Sequence, residues 1–185
     1  IRQNRGDCLG YYGIARDLSV FYRIPLCLPQ SSLPAISSSY RLPINVTAEK
    51  QVKRIQAIKI SRLQNSTSPP WLKKFLNLHQ VNSINTLVDL TNYVMFIFGL
   101  PNHAFDVSLS TDNLVWELNR HFSQFTTLDG SVLPLPSGIL MVNNPTTALS
   151  LSFLGGQSCA ISHQTTETVI EMAVYDRTKV RQDYR

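Results

Sequence analysis

Polar side chains of the types that bind and hydrolyse substrates lie in and just after one apolar segment of the chain. Thr91 and Asn92 sit within that segment, and His103 follows shortly downstream, after Gly99 and Pro101. Hydroxyl, amide and imidazole groups can orient a substrate and a water molecule, and an imidazole can also exchange a proton near neutral pH. This segment is the first candidate for a functional site.

A second candidate is a carboxylate in an apolar context. Glu171 lies in the sequence T-V-I-E-M-A-V-Y, whose alternation predicts a strand. A carboxylate in such a strand either faces solvent at a sheet edge or points inward and must be hydrogen-bonded or paired. The residues alone favour the sheet edge. Upstream, Gly155-Gly156 permits a close backbone approach, which a turn requires as much as a ligand does.

Several common catalytic templates are absent from the sequence. It contains no G-x-S-x-G, Walker, G-x-G-x-x-G or H-E-x-x-H pattern. The cysteines Cys8, Cys27 and Cys159 are odd in number and lack C-x-x-C spacing, so we expect reduced thiols and no metal site. Cys159 and His163 are four residues apart, but no third residue orients them as a hydrolytic pair.

Composition limits the class of protein. The chain has 185 residues, of which 43% are hydrophobic and 16% charged, and this length suits one domain or two small lobes. A net charge of +5 and a pI near 9.3 are compatible with a polyanionic partner without demonstrating one. No apolar run reaches the roughly 18 residues of a membrane helix, so we expect no membrane association and a cytoplasmic location.

The first candidate segment is predicted to be an amphipathic helix. Its apolar residues recur at helical spacing and form one core-facing stripe. Gly99 and Pro101 end the helix, because glycine suits the left-handed position after a helix and proline cannot continue it. His103 is therefore expected in a tight turn that Asp106 closes. The predicted stripe consists of Leu87, Leu90, Val94, Met95 and Phe98.

Helical signals dominate the first half of the chain and strand signals the second. Asp7 is a plausible N-cap of a first helix, and Ser68-Pro69-Pro70 marks the start of another. Residues 26–40, rich in Pro and Ser, indicate a linker or a wrapping loop.

In the second half, Asp129-Gly130 predicts a hairpin turn, and Asp176 predicts a cap for a last helix. The predicted strands cover residues 44–46, 52–60, 114–119, 125–133, 138–142, 149–153 and 167–175. We therefore predict an α+β fold with layered sheets and packed helices.

Several motifs together resemble a known family. T-N-Y-V-M followed by G-x-P-x-H-A-F-D closely resembles the B3/B4 region of the bacterial phenylalanyl-tRNA synthetase β subunit. N-R-x-D, P-x-W-L-K-K, T-L-D-G, the double glycine and E-x-A-x-x-D occur in the family's order. The resemblance implies that residues 1–185 form a single mixed-sheet B3/B4 module, a fragment of a longer β subunit.

The resemblance also implies an activity. In that family the module edits errors by hydrolysing tyrosine wrongly attached to tRNA(Phe). Glu171 is similar to the carboxylate that recognises the phenol, and the glycines Gly155 and Gly156 are expected beside it. His103, Thr91 and Asn92 resemble the catalytic residues at the ester end, with Pro101 and Asn82 among the substrate-binding residues. These assignments come from the resemblance.

Partners and alternatives follow from the same resemblance. We expect tRNA(Phe), the synthetase α subunit and the remaining β-subunit domains as partners, in a heterotetramer. The domain itself needs no cofactor, whereas the whole enzyme uses ATP and Mg²⁺. Asn82 replaces an arginine of the family pattern, and Leu151 and Ser152 replace Ala and Gly. One alternative is therefore a structural, tRNA-contacting domain that no longer edits. Another is a tRNA-binding module like that of tRNA lysidine synthetase.

Overall fold

The computed structural model describes residue 1 and residues 4–27, 39–108 and 113–183. It has an α+β architecture, as predicted, with several sheets and four helices in the described part. The chain forms two compact units. We call Ile1–Arg41 with Ser68–Asn102 the helical unit, and Leu42–Thr67 with His103–Arg185 the sheet unit. Most of the predicted linker, residues 28–38, lies outside the described residues.

The described residues of the helical unit form three α-helices: α1 (Tyr11–Tyr22), α2 (Pro70–Leu78) and α3 (Thr86–Phe98). Helix α2 begins as predicted, with Pro70 at a position where a missing N–H removes no helical hydrogen bond. Its side chains Leu72 and Leu76 are fully buried. These leucines anchor the helix in the unit.

Helix α3 ends at Gly99 as predicted, but only part of the predicted apolar stripe is buried. The Asn85 side chain accepts a hydrogen bond from the Val88 N–H at 3.0 Å, and Gly99 ends the helix at φ +72°. Leu90 and Phe98, expected in the core, are 38% and 47% exposed. Leu87 is buried as predicted, and Asp89 is buried as well, because neighbouring donors satisfy its carboxylate.

The first helix begins later than predicted. Asp7 lies in a short 3₁₀-helix, and Gly10 is the N-cap of α1. A Cβ built on Gly10 would lie 2.2 Å from the Gly99 backbone nitrogen, so this contact requires glycine. Asp7 does not cap α1 because its carboxylate is hydrogen-bonded to Arg5. The large apolar side chains Ile14, Leu18 and Phe21 of α1 are exposed.

The sheet unit contains nine strands in the described residues and one helix. A four-stranded sheet has the order β1-β4-β7-β8, a three-stranded sheet has the order β2-β9-β3, and β5 and β6 form a hairpin. The elements are β1 (Ile44–Val46), β2 (Val52–Ser61), β3 (His103–Asp106), β4 (Leu114–Leu118), β5 (Gln124–Thr126), β6 (Val132–Pro134), β7 (Leu140–Asn143), β8 (Ala148–Leu151), β9 (Glu167–Tyr175) and α4 (Arg177–Asp183).

Two local predictions are confirmed in the sheet unit. Asp129-Gly130 forms the turn of the β5-β6 hairpin, where Gly130 has φ +84°. Asp176 caps α4, because its Oδ1 accepts hydrogen bonds from the N–H groups of Thr178 and Lys179. Short-range turn and capping chemistry determines both features.

Strand β8 is shorter than predicted. It ends at Leu151, and Phe153 is 63% exposed. Ser150 is buried like Leu149 and Leu151. Both faces of β8 are covered, so its burial cannot follow a pattern of period two.

Two apolar clusters hold the sheet unit together. The first core includes Phe105, Trp116 and Val169, and the second includes Phe125 and Leu151. The first core contains residues from both larger sheets, and the second contains residues from the hairpin and strands β7 and β8. Burial of these large side chains supplies the main stabilising free energy of the unit.

Candidate functional site

Strand pairing places His103 directly opposite Glu171. Strands β3 and β9 are antiparallel, and their register pairs His103 with Glu171 and Phe105 with Val169. Alternate residues of a strand lie on the same face of the sheet. His103 and Glu171 therefore share a face with Phe105 and Val169, both of which are fully buried in the first core.

This arrangement corrects two predictions. His103 is the first residue of strand β3 and does not lie in a turn closed by Asp106. Glu171 does not lie at a sheet edge, because β9 is the central strand between β2 and β3. Both differences arise from long-range strand pairing.

The Glu171 carboxylate is buried with one oxygen atom unsatisfied. The residue is 6% exposed, and its Oε2 atom has no hydrogen-bond partner among the described residues. Burial raises the pKa of Glu171 to about 7. Buried polar atoms are nearly always hydrogen-bonded, so an orphaned carboxylate oxygen marks a place where a donor from a ligand would fit.

His103 is a neutral neighbour of this carboxylate. Its ring packs against Phe105 with 4.6 Å between ring centroids. Burial lowers the pKa of His103 to about 4, so the imidazole is uncharged at neutral pH. It offers Glu171 no positive charge, but it can donate one hydrogen bond and accept another.

The double glycine lies against the same histidine. A Cβ built on Gly155 would be 2.6 Å from His103 Cε1, so a side chain there would displace the imidazole. Gly156 is constrained differently: its N–H donates to the Leu149 carbonyl at 2.9 Å, and a Cβ would lie 2.9 Å from the Phe125 ring. Gly155 therefore shapes the space around His103, and the need for glycine at position 156 is explained by packing.

The other predicted site residues belong to the helical unit. The Thr91 hydroxyl donates to the Val88 carbonyl at 2.6 Å, and the Thr91 carbonyl accepts from Asn102 Nδ2 at 3.0 Å. Asn92 is half-buried, and the other two predicted residues, Pro101 and Asn82, are exposed. The roles of these residues in a site remain predictions from the resemblance.

The structure reveals one positioning residue that the sequence analysis missed. Asp89 is fully buried in α3 and accepts hydrogen bonds from Ser68 Oγ and Ser83 Oγ, both at 2.5 Å, and from the Ile84 N–H at 2.9 Å. These bonds fix the loop that carries Asn82. The sequence feature that could have indicated this role is the presence of an acidic residue, Asp89, within the apolar run of helix α3.

Leu151, which departs from the family pattern, lies in the second core. Leu151 is 5% exposed and belongs to the cluster that contains Phe125, Ile139 and Met141. Its bulk is therefore accommodated by apolar packing with the hairpin.

Two other reactive groups are occupied or buried. Among the described residues, Asp7, Cys8 and Asp17 are close enough to hold a metal ion, but the Arg5 guanidinium lies 2.9 Å from Asp7 and 2.7 Å from Asp17. Burial raises the pKa of Cys159 to about 12, so its thiol stays protonated at neutral pH. A protonated thiol is a poor nucleophile.

Comparison with known proteins identifies the family. The family model described as "B3/4 domain" matches residues 51–185 of this chain, which include both His103 and Glu171. The chain belongs to the B3/4 domain family. No helix in the described part of this B3/4 chain is long and apolar enough to cross a membrane.

Curated relatives of this B3/4 chain are named phenylalanine–tRNA ligase beta subunits. The protein from Fusobacterium nucleatum is 30% identical over all of this chain and 24% of the relative. The protein from Sodalis glossinidius is 34% identical over 95% of this chain and 22% of the relative. The chain therefore spans about a quarter of the length of these relatives.

A solved structure shares the fold. The N-terminal fragment of the phenylalanyl-tRNA synthetase beta subunit from Pyrococcus horikoshii matches with a TM-score of 0.55. The match covers 97% of this chain and 55% of that one, at 13% sequence identity. At this identity the similarity establishes the fold only.

Proposed function

We propose that this chain is the editing module of a phenylalanine–tRNA ligase β subunit and hydrolyses the ester of tyrosyl-tRNA(Phe). The single observation that carries the proposal is the buried Glu171 carboxylate, whose Oε2 atom finds no hydrogen-bond partner in the described part of the chain. The names of the relatives support the synthetase over a lysidine synthetase module.

A phenol matches the surroundings of Glu171. Its hydroxyl can donate to Oε2, and apolar neighbours such as Val169 and Ala57 suit an aromatic ring. Phenylalanine has no donor and would leave the carboxylate unpaired, at a cost of about 1 to 3 kcal/mol. That cost corresponds to roughly 5- to 150-fold discrimination between the two esters.

A synthetase needs such a second site. An apolar pocket selective for phenylalanine can reject an analogue that adds only a hydroxyl by a limited factor. A site that instead requires the hydroxyl can remove the wrong product after it forms. Glu171 would provide this requirement for a hydroxyl, so that the second site selects tyrosine over phenylalanine.

The reaction is hydrolysis of an activated ester. The oxygen of a water molecule attacks the ester carbonyl carbon, the bond from that carbon to the ribose oxygen breaks, and the ribose oxygen takes up a proton. A group with a pKa near 4 is a weak general base at neutral pH, so His103 is proposed to position water and substrate through hydrogen bonds. Positioning can supply much of the rate for such an ester.

The proposed partners follow from the proposed identity. They are tRNA(Phe), the α subunit and the remaining β-subunit domains, in the cytoplasm where aminoacylation takes place. The whole enzyme would use ATP and Mg²⁺ for aminoacylation, while hydrolysis in this domain would use neither.

The proposal is tested by ester loss from tyrosyl-tRNA(Phe) and phenylalanyl-tRNA(Phe) with the intact synthetase that contains this chain. We expect faster loss of the tyrosyl ester, slower hydrolysis with His103→Ala, and weaker discrimination with Glu171→Ala. Glu167→Ala is the matched control, because this glutamate lies on the same strand but pairs with Lys59 at 3.2 Å. The variants Thr91→Val and Asn92→Ala test the remaining assignments.

Two outcomes would contradict the proposal. Loss of both esters at the uncatalysed rate would favour a structural, tRNA-contacting domain without editing. Unchanged kinetics in both the His103 and the Glu171 variants, with active wild-type enzyme, would place the hydrolytic site elsewhere.

A further inference from the structure

The neighbours of Glu171 on its strand and on β2 carry no charge that could neutralise it. On the same face of β9 it is flanked by Val169 and Ala173, and Ala57 of β2 lies directly opposite. The nearest lysine on that face, Lys59, lies opposite Val169, and its amino group is 3.2 Å from Glu167 Oε2. Among the described residues, no ion pair involves Glu171.

The remaining titratable groups on this face are equally unsuited to neutralise Glu171. Strand β3 contributes His103, and β9 contributes Tyr175 four residues along, whose hydroxyl accepts a hydrogen bond from Trp116 Nε1 at 3.3 Å. The imidazole is neutral at neutral pH, and a tyrosine hydroxyl carries no positive charge in either of its protonation states. The charge of Glu171 therefore depends on its own proton and on what a bound ligand donates.

We propose that the protonation state of Glu171 sets the selectivity of this site, so that discrimination between tyrosyl and phenylalanyl esters strengthens as pH rises through neutrality. This inference rests on the editing function proposed above. It adds that the site changes from permissive to selective over the pH range in which cells operate.

The ionised and neutral forms of Glu171 treat the two esters differently. An ionised carboxylate is a strong acceptor for the phenol hydroxyl, and hydrogen bonds to charged groups are about twice as strong as neutral ones. Beside a phenylalanine ring the same charge would remain buried without a partner, which is costly. A protonated carboxyl group is neutral, so it tolerates the phenylalanine ring far better.

Burial places this transition near neutral pH, since it raises the pKa of Glu171 to about 7. His103 stays neutral across the same range, because its pKa is lowered to about 4. A change of selectivity around neutrality would therefore come from Glu171. Proton linkage also requires the reverse effect: a tyrosyl ligand favours the ionised form and releases protons, whereas a phenylalanyl ligand favours the protonated form and takes protons up.

The first test measures kcat/KM for both esters with the intact synthetase between about pH 5.5 and 8.5. Steps common to both substrates, such as hydroxide dependence, cancel in the tyrosyl-to-phenylalanyl ratio. We expect this ratio to rise about tenfold across the range in the wild type. This is the size expected when the tyrosyl ester gains one charge-assisted hydrogen bond. With Glu171→Gln, which is neutral at every pH, the ratio should stay flat.

The second test needs no variant. Calorimetry of the wild-type synthetase near pH 7, in buffers of different ionisation enthalpy, counts the protons exchanged on binding non-hydrolysable 3′-amide analogues of tyrosyl- and phenylalanyl-adenosine. We expect proton release with the tyrosyl analogue and uptake with the phenylalanyl analogue. Exchange of the same sign, or none, with both analogues would overturn the inference.

The results separate this inference from the function on which it rests. Tyrosyl ester loss with a ratio that does not change with pH contradicts the inference and leaves editing intact. Absence of catalysed tyrosyl ester loss at every pH contradicts the proposed function and the inference together.

Discussion

His103 and Glu171 face each other across strands β3 and β9, yet they do not form an ion pair. Burial moves their pKa values in opposite directions, to about 4 for the histidine and about 7 for the glutamate. Between these values both side chains are mostly neutral. A histidine and a carboxylate that could stabilise each other as ions are instead held in their uncharged forms. Each residue therefore makes the stability of the protein depend on pH in a different range.

The first prediction concerns the stability of Glu171→Gln. The folded pKa of Glu171, about 7, is above the ordinary value of 4.5, so the folded protein binds more protons than the unfolded chain between these pH values. The wild type should therefore lose on the order of 3 kcal/mol of unfolding free energy as pH rises through this window. The variant should avoid this loss, as urea unfolding at pH 5 and pH 8 would reveal. An equal difference between the two proteins at both pH values would contradict the assigned environment.

The second prediction concerns His103→Asn on the acid side. The folded pKa of His103, about 4, is below the ordinary 6.5, so here the unfolded chain binds more protons. The wild type should lose stability as pH falls from about 6.5 towards 4, on the order of 3 kcal/mol. His103→Asn should remove this slope. Thermal unfolding midpoints of both proteins across the range provide the measurement, and parallel profiles would argue against a buried neutral imidazole.

The third prediction uses the contact between Gly155 and His103. Gly155→Ala places a Cβ 2.6 Å from His103 Cε1, so the ring must move. We expect a destabilisation of about 1 to 3 kcal/mol and slower tyrosyl ester loss. In a His103→Ala background the same substitution should cost less, because the ring that it displaces is absent.

A double-mutant cycle in urea unfolding measures this coupling. Gly6→Ala is the matched control, since no atom of the described residues lies within 4 Å of a Cβ built on Gly6 and its φ is not positive. Additive effects of the Gly155 and His103 substitutions would show that the two residues do not share this space.

The fourth prediction concerns Asp89. Asp89→Ala removes the acceptor for three donors, on Ser68, Ser83 and Ile84, and should cost about 3 kcal/mol or more. Glu49→Ala, at an exposed position, is the control and should change stability little. Hydrogen exchange should show faster exchange of the Ile84 amide in Asp89→Ala. Protection equal to the wild type would mean that the carboxylate does not hold this loop.

Features set by neighbouring residues were predictable from the sequence. The ends of α3 follow from a capping Asn85 and from Gly99 in the left-handed region, and the hairpin turn follows from Asp129-Gly130. Strand β9 was predicted with its observed bounds, because its apolar run has strand length and strand-forming residues. Local conformational preferences decide these features.

Features set by distant pairing were not predictable. The placement of His103 in a strand depends on hydrogen bonds to β9, far along the chain. The inward orientation of Glu171 depends on β9 being central in its sheet, and the burial of Asp89 depends on donors from two separate loops. A single sequence shows the residue types in these sites but not their tertiary partners.

The most direct test of the central claim, that the Glu171 carboxylate recognises the substrate's phenol, is a comparison of dissociation constants. The intact synthetase and its Glu171→Gln variant would be titrated at pH 8 with non-hydrolysable tyrosyl- and phenylalanyl-adenosine amides. We predict that the wild type binds the tyrosyl analogue at least about fivefold more tightly, and that the variant loses most of this preference. Equal affinities of the wild type for the two analogues, or the same preference in both proteins, would contradict the claim.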